Sequence, residues 1–306
     1  MGVWLEAARP RTLPAAVVPV LVGTAAAQRA LDELHWDRAV LALLVALSLQ
    51  VAVNYANDYF DGVRGVDTDE RVGPRRAVAS GLVAPGAMKR AMVVALAIAA
   101  LAGLGLAALV GWELLAVGLV AMLAALGYSG GRRPYASRGL GEVFVFVFFG
   151  LVATVGSQYV QDESVRLLAV LAAVPVGALA TALLVVNNLR DIPTDALAGK
   201  RTLAVRLGEQ RTINLLTSLV WAAIALAPLL ALLLQHPGPL LALIALPLAG
   251  RITGLVYASA GSLQPHREVA PKRRRGPALL MALGATGRCQ LLYGVGLAVG
   301  LAWGGG

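Results

Sequence analysis

Apolar residues run along this chain in long blocks, broken at intervals by short polar stretches that hold most of its charge. A helix that crosses a bilayer needs about 20 mostly apolar residues. The blocks predict nine such spans, at 12–28, 39–59, 89–111, 113–130, 140–160, 165–188, 212–234, 238–258 and 277–303. They are too long and too rich in Ala and Leu to be strands. The expected fold class is all-α and polytopic: a single domain over 1–306, a bundle of nine transmembrane helices. The first block has the basic start and Ala-rich end of a signal peptide. Pro14 and Pro19 interrupt its apolar core, so it is read as the first span.

The polar stretches alternate in basic content. The N-terminus and the loops 60–88, 131–139, 189–211 and 259–276 hold nearly all of the 26 Lys and Arg, against Arg29, Arg38 and Arg166 on the other side. By the positive-inside rule the basic side, N-terminus included, is cytoplasmic. An even number of spans would break this alternation. The run PKRRRG at 271–276 is read as a topology anchor before the last span. Arg288, inside that span, is expected to pair with an acid or a carbonyl within the bundle. Gly127/Gly131, Gly250/Gly254 and Gly296/Gly300 fit small-xxx-small helix packing.

Composition narrows the function classes. The chain is 58% hydrophobic and 14% charged, whereas soluble domains are about 45–50% apolar and about 25% charged. The net charge of +9 is spread over several loops, without the single basic patch and interleaved aromatics of a nucleic-acid binder. One cysteine, Cys289, excludes an intrachain disulfide and a Cys-rich metal site. The three histidines, His35, His236 and His266, all lie outside the spans, which argues against zinc. There is no G-x-x-x-x-G-K-[ST], so a P-loop is not supported.

Candidate chemistry gathers at two places on the cytoplasmic side. The stretch NYANDYFDGVRGVDTDE (54–70) closes the second span, and NNLRDIPTDALAGKRTLAVRLG (187–208) closes the sixth. Each contains Asn-x-x-x-Asp, Asn57/Asp61 and Asn187/Asp191, and residues at i and i+4 share a helix face. Further acids follow: Asp58 and Asp67 in the first cluster, Asp195 in the second. Bases come next, Arg71, Arg75 and Arg76 in one, Lys200 and Arg201 in the other. The repetition suggests an internal duplication in two halves, although another register pairs Asn54 with Asn187 and Asp58 with Asp191. Pro193 is expected to bend the helix before Asp195. Asp69 and Glu70 are read as loop solvation. Clustered Asp and Asn oxygens are hard ligands suited to Mg²⁺, which is commonly held by one or two carboxylates and substrate phosphate oxygens. Two such clusters facing each other, with bases to grip the remaining oxygens, suit a diphosphate. Asp61 is the acid on which this reading most depends.

At these residues the sequence resembles the UbiA superfamily of intramembrane aromatic prenyltransferases. The strings NDYFDGVRGVDTDERVGP, GGRRPYASRGLGEVFVFVFFG, NNLRDIPTDALAGKRTLAVRLG and ARPRTLPAAVVPVLVGT are similar to its menaquinone branch, the 1,4-dihydroxy-2-naphthoate polyprenyltransferases. The resemblance covers essentially the whole chain. It implies a bundle in which two Asp-rich motifs bind Mg²⁺, as two ions bridging an isoprenoid diphosphate, in a bacterial plasma membrane with the active site facing the cytoplasm. Asn57, Asp61 and Asp67 match the first motif, and Asn187, Asp191 and Asp195 the second. The widespread N-x-x-x-D-x-x-x-D form has an acid where this chain has Gly65, and the next acid is Asp67. Either Asp58 or Asp67 then completes the first metal shell.

The reaction implied is transfer of a polyprenyl group from its diphosphate to 1,4-dihydroxy-2-naphthoate, with loss of CO₂, giving demethylmenaquinone. Arg71, Arg75, Arg76, Lys200 and Arg201 are candidates to bind the diphosphate end, and Arg64 and Asn188 are further candidates to bind substrate. Arg132 or Arg133 could bind the acceptor carboxylate, Tyr135 could shape the site, and Glu142 is a candidate base or salt-bridge partner. The alternatives are a relative using another acceptor, such as homogentisate or chlorophyllide, and a cation-coupled transporter. A transporter predicts acids near mid-span, whereas these lie at helix ends.

Overall fold

The computed structural model describes residues 2–28, 31, 33–65, 76–131, 133–260 and 275–303. Among them there is no strand. The helices are α1 (Val3–Ala7), α2 (Pro14–Gln28), α3 (Trp36–Val63), α4 (Pro85–Leu109), α5 (Glu113–Ser129), α6 (Gly141–Val145), α7 (Ala153–Asp162), α8 (Leu167–Leu197), α9 (Leu203–Leu207), α10 (Glu209–Leu233), α11 (Leu246–Ala260) and α12 (Arg275–Trp303). A π-helical segment, Phe146–Val152, joins α6 to α7, and a 3₁₀ segment, Gly238–Ala245, leads into α11.

Seven of the described helices, counting α6–α7 and the 3₁₀ segment with α11 as one each, are long and apolar enough to cross a bilayer. They match the expected second, third and fifth to ninth spans. The first expected span is a bent pair, Val3–Thr12 and Pro14–Gln28, broken by 49°. Pro10 and Pro14 lack the amide hydrogen that would carry a helix through, and Arg9 turns the chain with φ +53°. The fourth is the 17-residue α5, about 25 Å long.

α8 is the central helix, with 78% of its most apolar window buried. Its run of Ala and Gly lets neighbours approach closely, the device that membrane bundles use where no hydrophobic force drives association. A Cβ on Gly177 would stand 2.9 Å from the Phe146 ring and 3.1 Å from the Gly150 Cα. This contact seats the π segment against α8. The main core joins α2, α8, α10, α11 and α12 around Val18, Leu179, Ile213, Ile252 and Tyr293. α3, α4 and α5 stand on the other side, and α5 buries only Ser129.

Two expectations are corrected. Of the glycine pairs, Gly296 and Gly300 do meet backbone, at Leu241 and Gly238, but nothing lies within 4 Å of a Cβ at Gly250 or Gly254. Those two face outward. Arg288 is exposed on the outer face of α12, while Ala285, Thr286 and Cys289 are buried. Each residue turns the helix by about 100°, which places Arg288 with Met281, Leu292 and Val295 rather than in the bundle. Long basic side chains snorkel from such positions.

Candidate active site

The two acidic motifs meet because α3 and α8 bring their ends together. Asn57 and Asp61 on α3 and Asn187, Asp191 and Asp195 on α8 line one small polar pocket of about 60 Å³. Asn57 and Asp61 thus face Asn187 and Asp191 across one pocket. Asn54 and Asp58 do not line this small pocket and are held by other partners. The Asn54 Nδ2 donates to the Ala8 carbonyl (2.8 Å) and to Thr12 Oγ1 (3.2 Å), which pins the bent N-terminal segment to α3. Both Asp58 oxygens accept backbone amides, from Ala77 (3.0 Å) and Val78 (2.9 Å). A carboxylate used this way closes the loop after α3 onto the helix. α8 also runs on through Pro193 to Leu197, so Asp195 shares the α8 end with Asp191 instead of approaching from a broken helix.

Each buried carboxylate of the pocket has a cation. Asp61, 5% exposed, accepts from Lys200 Nζ at 2.9 Å and lies 3.7 Å from Arg76. Asp191 takes two bonds of 2.7 Å from Arg190. The third Arg190 bond, from Nη2, goes to Asn187 Oδ1 at 2.8 Å. This bidentate geometry makes strong, oriented pairs. Asn188 donates from Nδ2 to Glu142 Oε1 at 3.0 Å, and Glu142 is buried at the start of α6.

The pocket opens into a cavity of about 860 Å³. Arg9, Asn57, Arg76, Tyr128 and Asn187 line both. Beyond them the walls turn mostly apolar, with α3 contributing from Ala42 to Val53, about 17 Å of helix. Leu106, Val117, Phe148, Val152 and Val160 line the far part. Tyr135 stacks on Phe144 with centroids 4.0 Å apart and meets Tyr128 edge-on at 5.5 Å. The Tyr135 hydroxyl donates to the Ala124 carbonyl (2.8 Å), and burial pushes its phenol above the ordinary value.

Other expected site residues lie outside these pockets. Arg64 is exposed and donates to the carbonyls of Ser129 (2.8 Å) and Gly131 (2.5 Å), tying the end of α3 to that of α5. Arg133 and Arg201 are exposed. Asp67, Arg71, Arg75 and Arg132 fall outside the described residues. The sequence reading missed Arg190, Arg9 and Tyr128. Arg190 adjoins Asp191 in NNLRD, a signal that was open to reading. Arg9 and Tyr128 come from distant segments that only the fold unites.

Among the described residues no three His, Cys, Asp or Glu gather closely enough to hold a metal unaided. The donor set is nonetheless of the right kind for Mg²⁺: hard oxygens on two facing helix ends, to which a diphosphate and water would add the rest.

Residues 16–274 match the model of the UbiA prenyltransferase family. The chain belongs to this family. A relative in it, 1,4-dihydroxy-2-naphthoate octaprenyltransferase of Mycobacterium tuberculosis, is 46% identical over 98% of this chain and 97% of its own length. The Escherichia coli protein of the same name is 43% identical over 67% of this chain and 68% of its own. Among solved structures, a UbiA homologue from Archaeoglobus fulgidus bound to GPP and Mg²⁺ has a TM-score of 0.63 at 17% identity, covering 96% of this chain and 99% of its own. That structure shares the UbiA fold with this chain. The acids of this family member gather at one end of α3 and α8, not at mid-span as a transporter would place them.

Proposed function

We propose that this protein transfers a polyprenyl group from a polyprenyl diphosphate to 1,4-dihydroxy-2-naphthoate, releasing CO₂ and diphosphate and giving demethylmenaquinone. The observation that carries it is one continuous site, a doubly acidic polar pocket opening into an apolar cavity of about 860 Å³. Relatives bearing the corresponding name support the acceptor. In this reading the nine spans place the N-terminus and both motifs on the cytoplasmic side of a bacterial plasma membrane, and α3 and α8 belong to two repeated halves of one domain.

Asp61, Asp191 and Asp195, with Asn57 and Asn187, would hold Mg²⁺, as two ions. Asp67 completes the first motif, because Asp58 uses its oxygens on the 77–78 backbone. Bound Mg²⁺ supplies the charge that makes diphosphate a leaving group. Arg76, Arg190 and Lys200 stand on the motif carboxylates, from where they can share the diphosphate charge in a water-poor site. In this reading Arg71, Arg75 and Arg201 add further positive charge for the diphosphate. The tail lies along the apolar wall, which keeps water from the allylic centre. The acceptor ring attacks through carbon, so no enzyme nucleophile is needed. In this reading Arg132 or Arg133 binds the acceptor carboxylate, and Tyr135 shapes the wall.

Membranes containing the protein should convert the naphthoate and a polyprenyl diphosphate to a lipid quinone only with a divalent cation. Homogentisate and chlorophyllide, offered to the same membranes, should not react. Turnover in excess chelator, or preference for another acceptor, would overturn the proposal.

A further inference from the structure

The tandem Asn187–Asn188 carries a donor and acceptor code that its neighbours set. An asparagine side chain can present either its carbonyl or its NH₂ to a site, and hydrogen-bond partners decide which. Arg190 has donors only, so Asn187 turns Oδ1 toward it and leaves its NH₂ to the pocket. Glu142 accepts from the Nδ2 of Asn188, which leaves the Asn188 carbonyl to the pocket. Glu142 is 6% exposed on a different element, the start of α6, and no step of the reaction above uses it. Burying a carboxylate is costly unless it is bonded, so holding this amide is a definite task for it.

Beside this pair stands a wall of flat rings, Tyr128, Tyr135 and Phe144, which lines the same continuous site. It suits a planar bicyclic acceptor. In 1,4-dihydroxy-2-naphthoate the 1-hydroxyl adjoins the carboxylate and closes an internal hydrogen bond. The 4-hydroxyl has no such neighbour and must find its acceptor in the protein.

We propose that the Asn188 carbonyl, held toward the site by Glu142, receives the 4-hydroxyl of the acceptor, making Asn188 a specificity-determining contact and Glu142 its positioning residue. The inference rests on the reading of the acceptor given above. A buried acceptor atom left without its hydroxyl penalises the analogue that lacks it.

The test compares inhibition constants of two analogues that differ only in this group, 4-hydroxy-2-naphthoate and 2-naphthoate, against the dihydroxynaphthoate. The wild-type protein should bind the hydroxylated one about three- to tenfold more tightly. In Glu142→Leu the amide is free to turn, and the ratio should fall to about one with the KM for prenyl diphosphate unchanged. Asn188→Leu should do the same, and it reports if the first variant does not fold. The double variant Glu142→Gln with Asn188→Asp reverses donor and acceptor between the pair yet keeps an acceptor facing the site, so it should retain the ratio. A wild-type ratio near one, or a ratio that survives both Leu variants, would overturn the inference while leaving the functional reading intact. If naphthoates neither react nor inhibit at all, the functional reading fails, and this inference with it.

Discussion

Replacing Asp58 separates two roles that its sequence neighbourhood leaves confounded, metal ligand and loop anchor. Its carboxylate takes the Ala77 and Val78 amides at 3.0 and 2.9 Å and is 2% exposed. A hydrogen bond to a charged group contributes about 1.5–3 kcal/mol, so Asp58→Ala should cost roughly 3–6 kcal/mol. At this chain length that is a fall in melting temperature of about 5–12 °C. Asp58→Asn keeps one acceptor oxygen and should cost about half. In detergent, the Mg²⁺ concentration for half-maximal turnover should stay unchanged in Asp58→Asn and rise sharply in Asp61→Asn. An Asp58→Asn protein of normal stability with a large rise in its Mg²⁺ requirement would refute the anchor assignment.

Gly177→Ala should lower stability by about 1–3 kcal/mol, because its Cβ would sit 2.9 Å from Phe146 and 3.1 Å from Gly150; wild-type melting would show that α8 and the π segment are not tightly seated. Gly118 lines the cavity with open space at its Cβ, so Gly118→Phe should lower kcat/KM for octaprenyl diphosphate by about tenfold or more and spare geranyl diphosphate. Equal losses for both donors would place the tail elsewhere. Burial holds the Tyr135 phenol above its ordinary value, so it stays neutral at working pH. Tyr135→Phe should leave the pH profile of turnover superimposable on the wild type, and a shifted profile would give that hydroxyl a role in proton transfer.

Much of this site was legible because the signals were local. Apolar blocks of span length located the helices, and i/i+4 spacing put Asn57 with Asp61 and Asn187 with Asp191 before any fold was known. The partners of buried polar groups were not legible, because they lie far away in sequence. Nothing near Asp58 indicates that it holds the 77–78 turn, and nothing near Asn54 indicates Ala8 or Thr12. Arg190 hid beside the residue it pairs with, since adjacent residues on a helix do not normally face each other. Arg288 failed for a different reason. Hydropathy places a residue along the span but not around it, and the phase of α12 turned it outward. The π segment escaped too, because Phe146–Val152 reads as any apolar helix until Gly150 meets Gly177.

The central claim is that Asp61 and Asp191, on facing helix ends, work as one metal–diphosphate clamp. Its most direct test is turnover of purified Asp61→Asn, Asp191→Asn and the double variant at saturating Mg²⁺, each checked for wild-type melting behaviour. Groups that act as a unit are strongly non-additive. Each single variant should therefore lose nearly all activity, and the double should be no worse than either. Near-normal turnover in one single variant, or losses that multiply in the double, would contradict the account.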